Sequence, residues 1–310
     1  MPTKIIIDTD PGIDDTIAIF LALRSPELEV VGLTSVFGNS DIEHTSINAL
    51  RLAEIAGFGD IPVAKGCGCP LVMAMPSLGT HVHGLDGMGN TNPPPPNGKI
   101  LDISAAQFIV ETIVNNPGEI TLVPVGPLTN IALALRLEPK ISQLAKEVVI
   151  MGGAANGIGN ASPVAEANII HDPHAAAIVF AADWKVTMVG LDVTKQVVMS
   201  KTYLQDITHA GNPCTDLIGK ILPCYNNYFD TNYDLQGSIY THDPSAISYV
   251  INPDYYKILS APIFVETEGN CLGQTISDPL NQWSENSPAN ICIDVDAPPL
   301  LAMIKERLTG

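Results

Sequence analysis

Four aspartates, Asp8, Asp10, Asp14 and Asp15, fall within eight positions directly after the apolar run "KIII". Crowding carboxylates against a buried strand is penalised twice, by repulsion and by desolvation, so the stretch calls for something positive among them. Asp10 leaves the strand, Pro11 and Gly12 turn the chain, and Asp14 and Asp15 open a helix, which lets Asp10 and Asp15 approach one ion from two sides. Carboxylates, amides and backbone carbonyls are hard oxygen donors that suit Ca²⁺ or Mg²⁺ and, with few Cys or His close by, suit zinc poorly. The competing reading is structural: Asp14 or Asp15 caps the helix and Asp8 faces solvent.

A further acid, Glu166, lies between Asn160 and Asn168 in "GNASPVAEANIIHDP". Amide, acid and amide in one loop match the hydroxyls of a sugar, each of which both donates and accepts. An ordinary polar loop would carry the same residues. "YTHDPSA" sets His242 beside Asp243 ahead of a helical stretch, where Asp243 can also serve only as a cap. His81 and His83 lie in "GTHVHGLDGMG", and a histidine in such a Gly-rich loop is more often a surface residue than a catalytic one.

The elements that must position these residues alternate. "KIII", "LEVVGLTSVF", "EITLVPV", "EVVIM" and "KVTMVGL" are continuous apolar runs, as strands covered on both faces require. Between them "DDTIAIFLALR", "IEHTSINALRLAEIAG", "ISAAQFIVETIVNN", "PLTNIALALRL" and "DPHAAAIVFAAD" show helical spacing, several with Asp, Ser or Pro at the start. The order predicts a doubly wound α/β fold: a mostly parallel sheet with helices on both faces. After Val193 the texture turns helical, including "CTDLIGKILPCYNNYFDTNYDL", with strand candidates near Ile258–Glu266 and Ala289–Val295 and a last helix, "APPLLAMIKERL". Without a linker or repeat, residues 1–310 are expected to form one domain with a mainly helical C-terminal cap. Two long loops, Gly66–Lys99 and Gly152–His171, interrupt the pattern, and loops of that length usually have work to do. In such a sheet Asp8 and Asp10, "FGN", "VGPLTN", "MGGA" and the loop after it all reach the carboxyl rim, where ligands collect.

Composition sets outer bounds. The chain has 310 residues, 46% of them hydrophobic, and a formal net charge of -18, which argues against nucleic acid or an anionic membrane as the main partner. Six cysteines without a C-x-x-C pair read as free thiols. The apolar N-terminal run is too short for a signal peptide and no segment approaches a membrane span, so a cytoplasmic protein is expected.

In combination, "DTDPGIDDTIAI", the "GN" after the second strand, "HGLDGMG", "VGPLTNIALAL", "MGGA", "GN-x-x-P-x-A-E-x-N" and "HDP" resemble the nucleoside hydrolases of the inosine-uridine-preferring type, from Ile5 to at least Ala246. The resemblance implies hydrolysis of the N-glycosidic bond of a ribonucleoside to ribose and free base, in nucleoside salvage. It implies Ca²⁺ held by Asp10, Asp15, Asp243 and the carbonyl of Val125. Asp14, Asn39, Asn160, Glu166 and Asn168 match positions around the ribose, Met151 one that lines the pocket, and His83 and His242 histidines near the base. Asp10 would act as general base on water and His242 as the acid for the leaving base. A homotetramer or dimer is likewise implied. One departure stands out: the family usually carries an aromatic where this chain has Ala167, which predicts a wider pocket near the sugar or base. The tyrosines and Phe229 between residues 225 and 240 are given no role, and purine or pyrimidine preference stays open. Two rivals remain at this point. Haloacid-dehalogenase-like phosphatases also open on a strand and D-x-D, but place Gly-Thr where this chain has Pro11 and Gly12. A calcium-dependent nucleoside binder without turnover would keep the same pocket.

Overall fold

The computed structural model describes residues 1–283 and 286–310. Eight strands form the central sheet: β1 (Thr3–Thr9), β2 (Leu28–Ser35), β3 (Val63–Lys65), β4 (Ile120–Pro124), β5 (Glu147–Met151), β6 (Val186–Val189), β7 (Tyr256–Ala261) and β8 (Ala289–Val295). Their order is β3-β2-β1-β4-β5-β6-β8-β7, parallel throughout except for β7, which runs antiparallel along β8. From β1 the chain first builds outward through β2 and β3, then returns to add β4 on the other side. The switch point therefore lies between β1 and β4, where Asp8 pairs with Pro124 and the Val125 amide donates to the Asp8 carbonyl.

Alternation along β1 sorts its side chains into two cores. Ile5 and Ile7 pack with α1 (Ile13–Leu23), α2 (Ile42–Ile55), α6 (Pro213–Tyr233), α7 (Asp243–Ile251) and α8 (Ala297–Thr309). Ile6 packs on the other face with α3 (Ala105–Asn115), α4 (Thr129–Leu137) and α5 (Pro173–Phe180). Every residue of α1 is buried, because this helix is sandwiched between the sheet and α6 and α7. That central position fixes the start of α1, and with it Asp14 and Asp15, against the start of α7.

The doubly wound sheet agrees with the sequence reading, with three differences. The stretch expected as one strand near 258–266 divides at Pro262, since a residue without an N–H cannot continue a ladder; Ile263–Val265 instead pairs with Thr275–Ser277. The C-terminal third does more than cap, because β8 inserts between β6 and β7 and completes the sheet. The short edge strand β3 was not anticipated; three residues give little periodic signal. All six cysteines are free thiols. Among the described residues no helix is long and apolar enough to cross a membrane.

Candidate active site

Asp10 follows β1 and is 1% exposed. Its Oδ2 accepts the Asn39 backbone N–H at 2.7 Å, while its Oδ1, also buried, has no hydrogen-bond partner among the described residues. Two glycines make this placement possible: a Cβ on Gly38 would stand 2.0 Å from Asp10 Oδ2, and one on Gly126 2.5 Å from Oδ1. Asp15 takes the Thr9 hydroxyl at 2.5 Å, the Gly12 N–H at 2.9 Å and the Asn39 amide at 2.8 Å. The Gly12 contact is the acidic half of a capping box, so the helix-capping reading of Asp15 holds as well as its place in the acidic cluster.

Carboxylate oxygens of Asp14, Asp15 and Asp243 lie within 4.8 Å of one another, all buried. Membership differs from the sequence expectation: Asp15 and Asp243 come together as predicted, Asp14 joins them, and Asp10 flanks the trio. Asp14 Oδ1 has no hydrogen-bond partner among the described residues, and His83 Nδ1 stands 3.8 Å away. His83 cannot neutralise the cluster, because burial lowers its pKa to about 4 and its Nδ1 accepts the Ile13 N–H at 3.1 Å. Burial, reinforced by the neighbouring carboxylates, pushes Asp10 and Asp243 well above the usual carboxylate range; burial raises Asp14 to about 6. Among the described residues these four acids have no cationic Lys or Arg partner and carry two buried oxygens without a hydrogen bond, a donor set that could hold a metal ion. It contains neither thiolate nor charged imidazole.

Asp8 does not face solvent. Its Oδ1 accepts Thr34 at 2.5 Å and Asn130 Nδ2 at 2.7 Å, and Asn130 also holds the Ser35 carbonyl and the Cys67 amide. It is a buried brace between β1, β2 and the start of α4.

Above the trio opens a cavity of ≈ 410 Å³. Asp14, Asn39, His83, Val125, Met151, Asn160, Glu166, Asn168, His242 and Asp243 all line it, whereas Asp10 and Asp15 are buried beside these residues without lining it. Asn168 Nδ2 donates to the Val125 carbonyl at 2.9 Å and the Met151 carbonyl at 3.1 Å, tying three predicted residues together. Glu166 is 2% exposed and caps the short helix Ala167–His171: Oε1 accepts Asn168 N–H, and Oε2 accepts Gly153 and Ile169 N–H. Burial raises its pKa to about 7 against those hydrogen bonds. Asn160 Oδ1 accepts the Ala167 N–H at 3.0 Å. His242 meets Thr194 Oγ1 through Nδ1 at 2.9 Å, and burial, helped by Lys195, depresses its pKa to about 3.

Both long loops reach the cavity, one through Met73–His83 and the other through Asn160–His171. His83 is buried, contrary to what a Gly-rich loop suggests for a histidine, because Thr80–His83 coils into a helical turn packed on α6. Asp86 of "HGLDGMG" stays outside the cavity; it organises the loop by accepting the Met88, Asn90 and Asn92 amides. Sequence reasoning noted the aromatics of residues 225–240 but gave them no role. Tyr225, Tyr228, Phe229 and Tyr233 line the cavity and stack edge to face with one another, while also belonging to the core around α1. Their i, i+3, i+4 spacing one helix before His242 was the available signal, but it reads equally as core.

Comparisons with known proteins point one way. Residues 5–302 match the family model described as inosine-uridine preferring nucleoside hydrolase. The chain is 39% identical to uridine nucleosidase 1 of Arabidopsis thaliana over 312 residues, covering 98% of this chain and 93% of that protein. It is 42% identical over 299 residues to the inosine-uridine preferring nucleoside hydrolase of Leishmania major, covering 96% and 94%. A solved plant nucleoside hydrolase superposes with a TM-score of 0.94 at 36% identity, covering 100% of both chains.

Proposed function

Because the chain belongs to the inosine-uridine preferring nucleoside hydrolase family and hydrolyses ribonucleosides to ribose and free base, we propose that it does so with one Ca²⁺ held by Asp10, Asp15, Asp243 and the Val125 carbonyl. With Asp14 among the gathered carboxylates, the aspartates and the Val125 carbonyl supply hard oxygens, and water and ribose hydroxyls would complete the six to eight that Ca²⁺ takes. When bound, the ion supplies a charge that acidifies a water and grips a sugar diol. Family membership displaces the phosphatase and non-catalytic alternatives.

The chain's own residues divide the remaining work. Asp10, with one buried oxygen that has no hydrogen-bond partner among the described residues, takes the proton from the attacking water. Asp14, Asn39 and Asn168 orient the ribose hydroxyls, with Asn160 and Glu166 shaping the same region and Met151 beneath it. Glu166 and Asn168 also place negative charge or dipoles beside the oxocarbenium-like state as the C–N bond lengthens. His242 and His83 face the base. His242 meets Thr194 through Nδ1 and serves as the leaving-group acid: an imidazolium charged from solvent, which burial disfavours, gives its Nε2 proton to the departing base nitrogen and is left neutral.

We extend the proposal to one functional domain over residues 1–310, since the cavity draws on residues from Asp14 to Leu272. A homotetramer or dimer and a salvage role rest on resemblance to the family, and cytoplasmic residence on the sequence expectation alone. The observation that carries the reading is the buried carboxylate trio under a cavity whose polar lining suits a sugar. The test is ribose release from inosine, adenosine, guanosine, uridine and cytidine, with and without Ca²⁺. Full turnover after exhaustive chelation would sink the calcium assignment, and no ribose from any of the five would sink the whole proposal.

A further inference from the structure

Thr194 is fully buried on the turn Leu191–Thr194 that follows β6, and among the described residues its hydroxyl makes one hydrogen bond, to His242 Nδ1 at 2.9 Å. The two residues lie 48 apart in sequence, and two sets of backbone contacts bring them together. On one side the Leu191 N–H donates to the Gly153 carbonyl at 2.9 Å, and the Asp192 carboxylate accepts the Ala155 and Asn156 N–H groups at 2.7 and 2.9 Å, so the turn is pinned to the loop after β5. On the other, Val198–Met199 pairs antiparallel with Ile239–Tyr240, and the Thr241 N–H donates to the Val197 carbonyl at 3.0 Å, which carries the chain up to His242. Valine has nearly the shape of threonine and would fill the same space at no polar cost, so stability alone does not account for the hydroxyl.

Packing leaves one choice at His242 open. Phe229 and Tyr240 flank the imidazole, with ring centroids 6.3 and 6.0 Å away. A half turn of a histidine about its Cβ–Cγ bond keeps nearly the same shape but exchanges Nδ1 with Cδ2 and Nε2 with Cε1. Two neighbouring aromatic rings barely distinguish those states, whereas a hydroxyl that bonds to nitrogen does. In the half-turned ring a C–H would stand where Nε2 now is, and His242 could hand no proton to a leaving group from that position. Nε2 itself has no hydrogen-bond partner among the described residues, and His242 lines the cavity, so this nitrogen is the one left for a substrate.

We propose that Thr194 is a positioning residue for the hydrolysis: by holding Nδ1 it fixes the imidazole in the orientation that presents Nε2 to the departing base. The inference rests on the reading of His242 as leaving-group acid and deepens it. The proton passes from Nε2 to the base nitrogen as that nitrogen takes the electron pair of the breaking C–N bond. Thr194 accepts from Nδ1–H before and after the transfer and exchanges no proton itself.

The test measures kcat and KM for inosine and for a nitrophenyl riboside, whose leaving group departs without an acid, on the calcium-loaded wild type, Thr194→Val, Thr194→Ser, His242→Ala and Thr194→Val combined with His242→Ala. We expect Thr194→Val to lower kcat on inosine by about tenfold or more with KM within about threefold, to affect the nitrophenyl riboside far less, and to be largely rescued by Thr194→Ser. On the His242→Ala background the valine should cost inosine hydrolysis nothing further. Should Thr194→Val fail to fold, Thr194→Ala takes its place in every comparison. An unchanged kcat on inosine, equal losses on inosine and the nitrophenyl riboside, no rescue by serine, or a further loss on the His242→Ala background overturns the positioning role alone. Equal losses on the two substrates in His242→Ala itself overturn the acid reading with it, and a wild type that releases no ribose from inosine or uridine overturns the nucleoside reading as well.

Discussion

The floor of the cavity is made of strand ends and helix starts, and its walls of two long loops and one face of α6. On the floor each side chain is placed by the sheet: Asp10 sits at the end of β1 between Gly38 and Gly126, Asp14 and Asp15 open the buried α1, and Asp243 opens α7 against it. On the walls, Met73, Pro76, Ala161, Tyr228 and Tyr233 are partly or fully exposed and approach through packing of irregular segments. The contrast separates two tasks. Positioning for bond cleavage demands rigid, desolvated groups, while choosing among bases and substituents demands area and shape that substitutions can vary.

Substitutions on either side should therefore differ in kind. Asp10→Ala should produce the largest effect, a loss of roughly 10³-fold or more in kcat, and Ca²⁺, expected to raise the wild type's Tm in thermal unfolding, should leave the variant's unchanged. Gly126→Ala asks whether placement of the floor is as demanding as its chemistry. A Cβ 2.5 Å from Asp10 Oδ1 must displace that carboxylate, so kcat should fall by about 10²-fold in steady-state assays. A wild-type kcat in a folded Gly126→Ala protein would show that the floor tolerates misplacement. Tyr228→Ala, on the wall, should change KM by about tenfold and shift the inosine-to-uridine ratio with little change in kcat; a kcat loss matching that of the floor variants would erase the distinction.

The smallest effect concerns Glu166, which joins the two regions. Burial raises its folded pKa to about 7 from a reference of 4.5, so between those values the folded state keeps a proton that the unfolded chain has released. Its contribution to stability is complete below about pH 4.5, declines as pH rises through about 7 and is constant above. Glu166→Gln should flatten that slope, by on the order of 1 kcal/mol across the window in urea unfolding at a series of pH values. An unchanged slope would mean the residue titrates as an ordinary glutamate.

The same division explains what could be read from the chain. Continuous apolar strands and capped helices are local patterns, so the doubly wound sheet and the rim that gathers Asp10, Asn39, Val125 and Glu166 were legible. Proximity through α1 and α7 is not local: that Asp14 stands with Asp15 and Asp243 while Asp10 flanks them depends on how α1 is buried between layers. Tyr225 and Phe229 were given no role because one helical face serves both as core and as wall, and periodicity does not distinguish the two. Asp8 likewise belongs to the motif by spacing, yet its partners Thr34 and Asn130 make it a brace. Glu166 read as a sugar-binding acid, and the backbone amides it caps become visible only once Gly153 folds back onto it.

The start of α7 has a further consequence, for biosynthesis. Asp243 completes a carboxylate group begun at Asp14, so more than three quarters of the 310-residue polypeptide must leave the ribosome before the last of the three arrives, and the partner strands β7 and β8 emerge later still. A nascent chain thus exposes its acidic opening motif long before anything can close over it. Such late, long-range closure favours slow acquisition of the native state and leaves chaperones time to act on the growing chain.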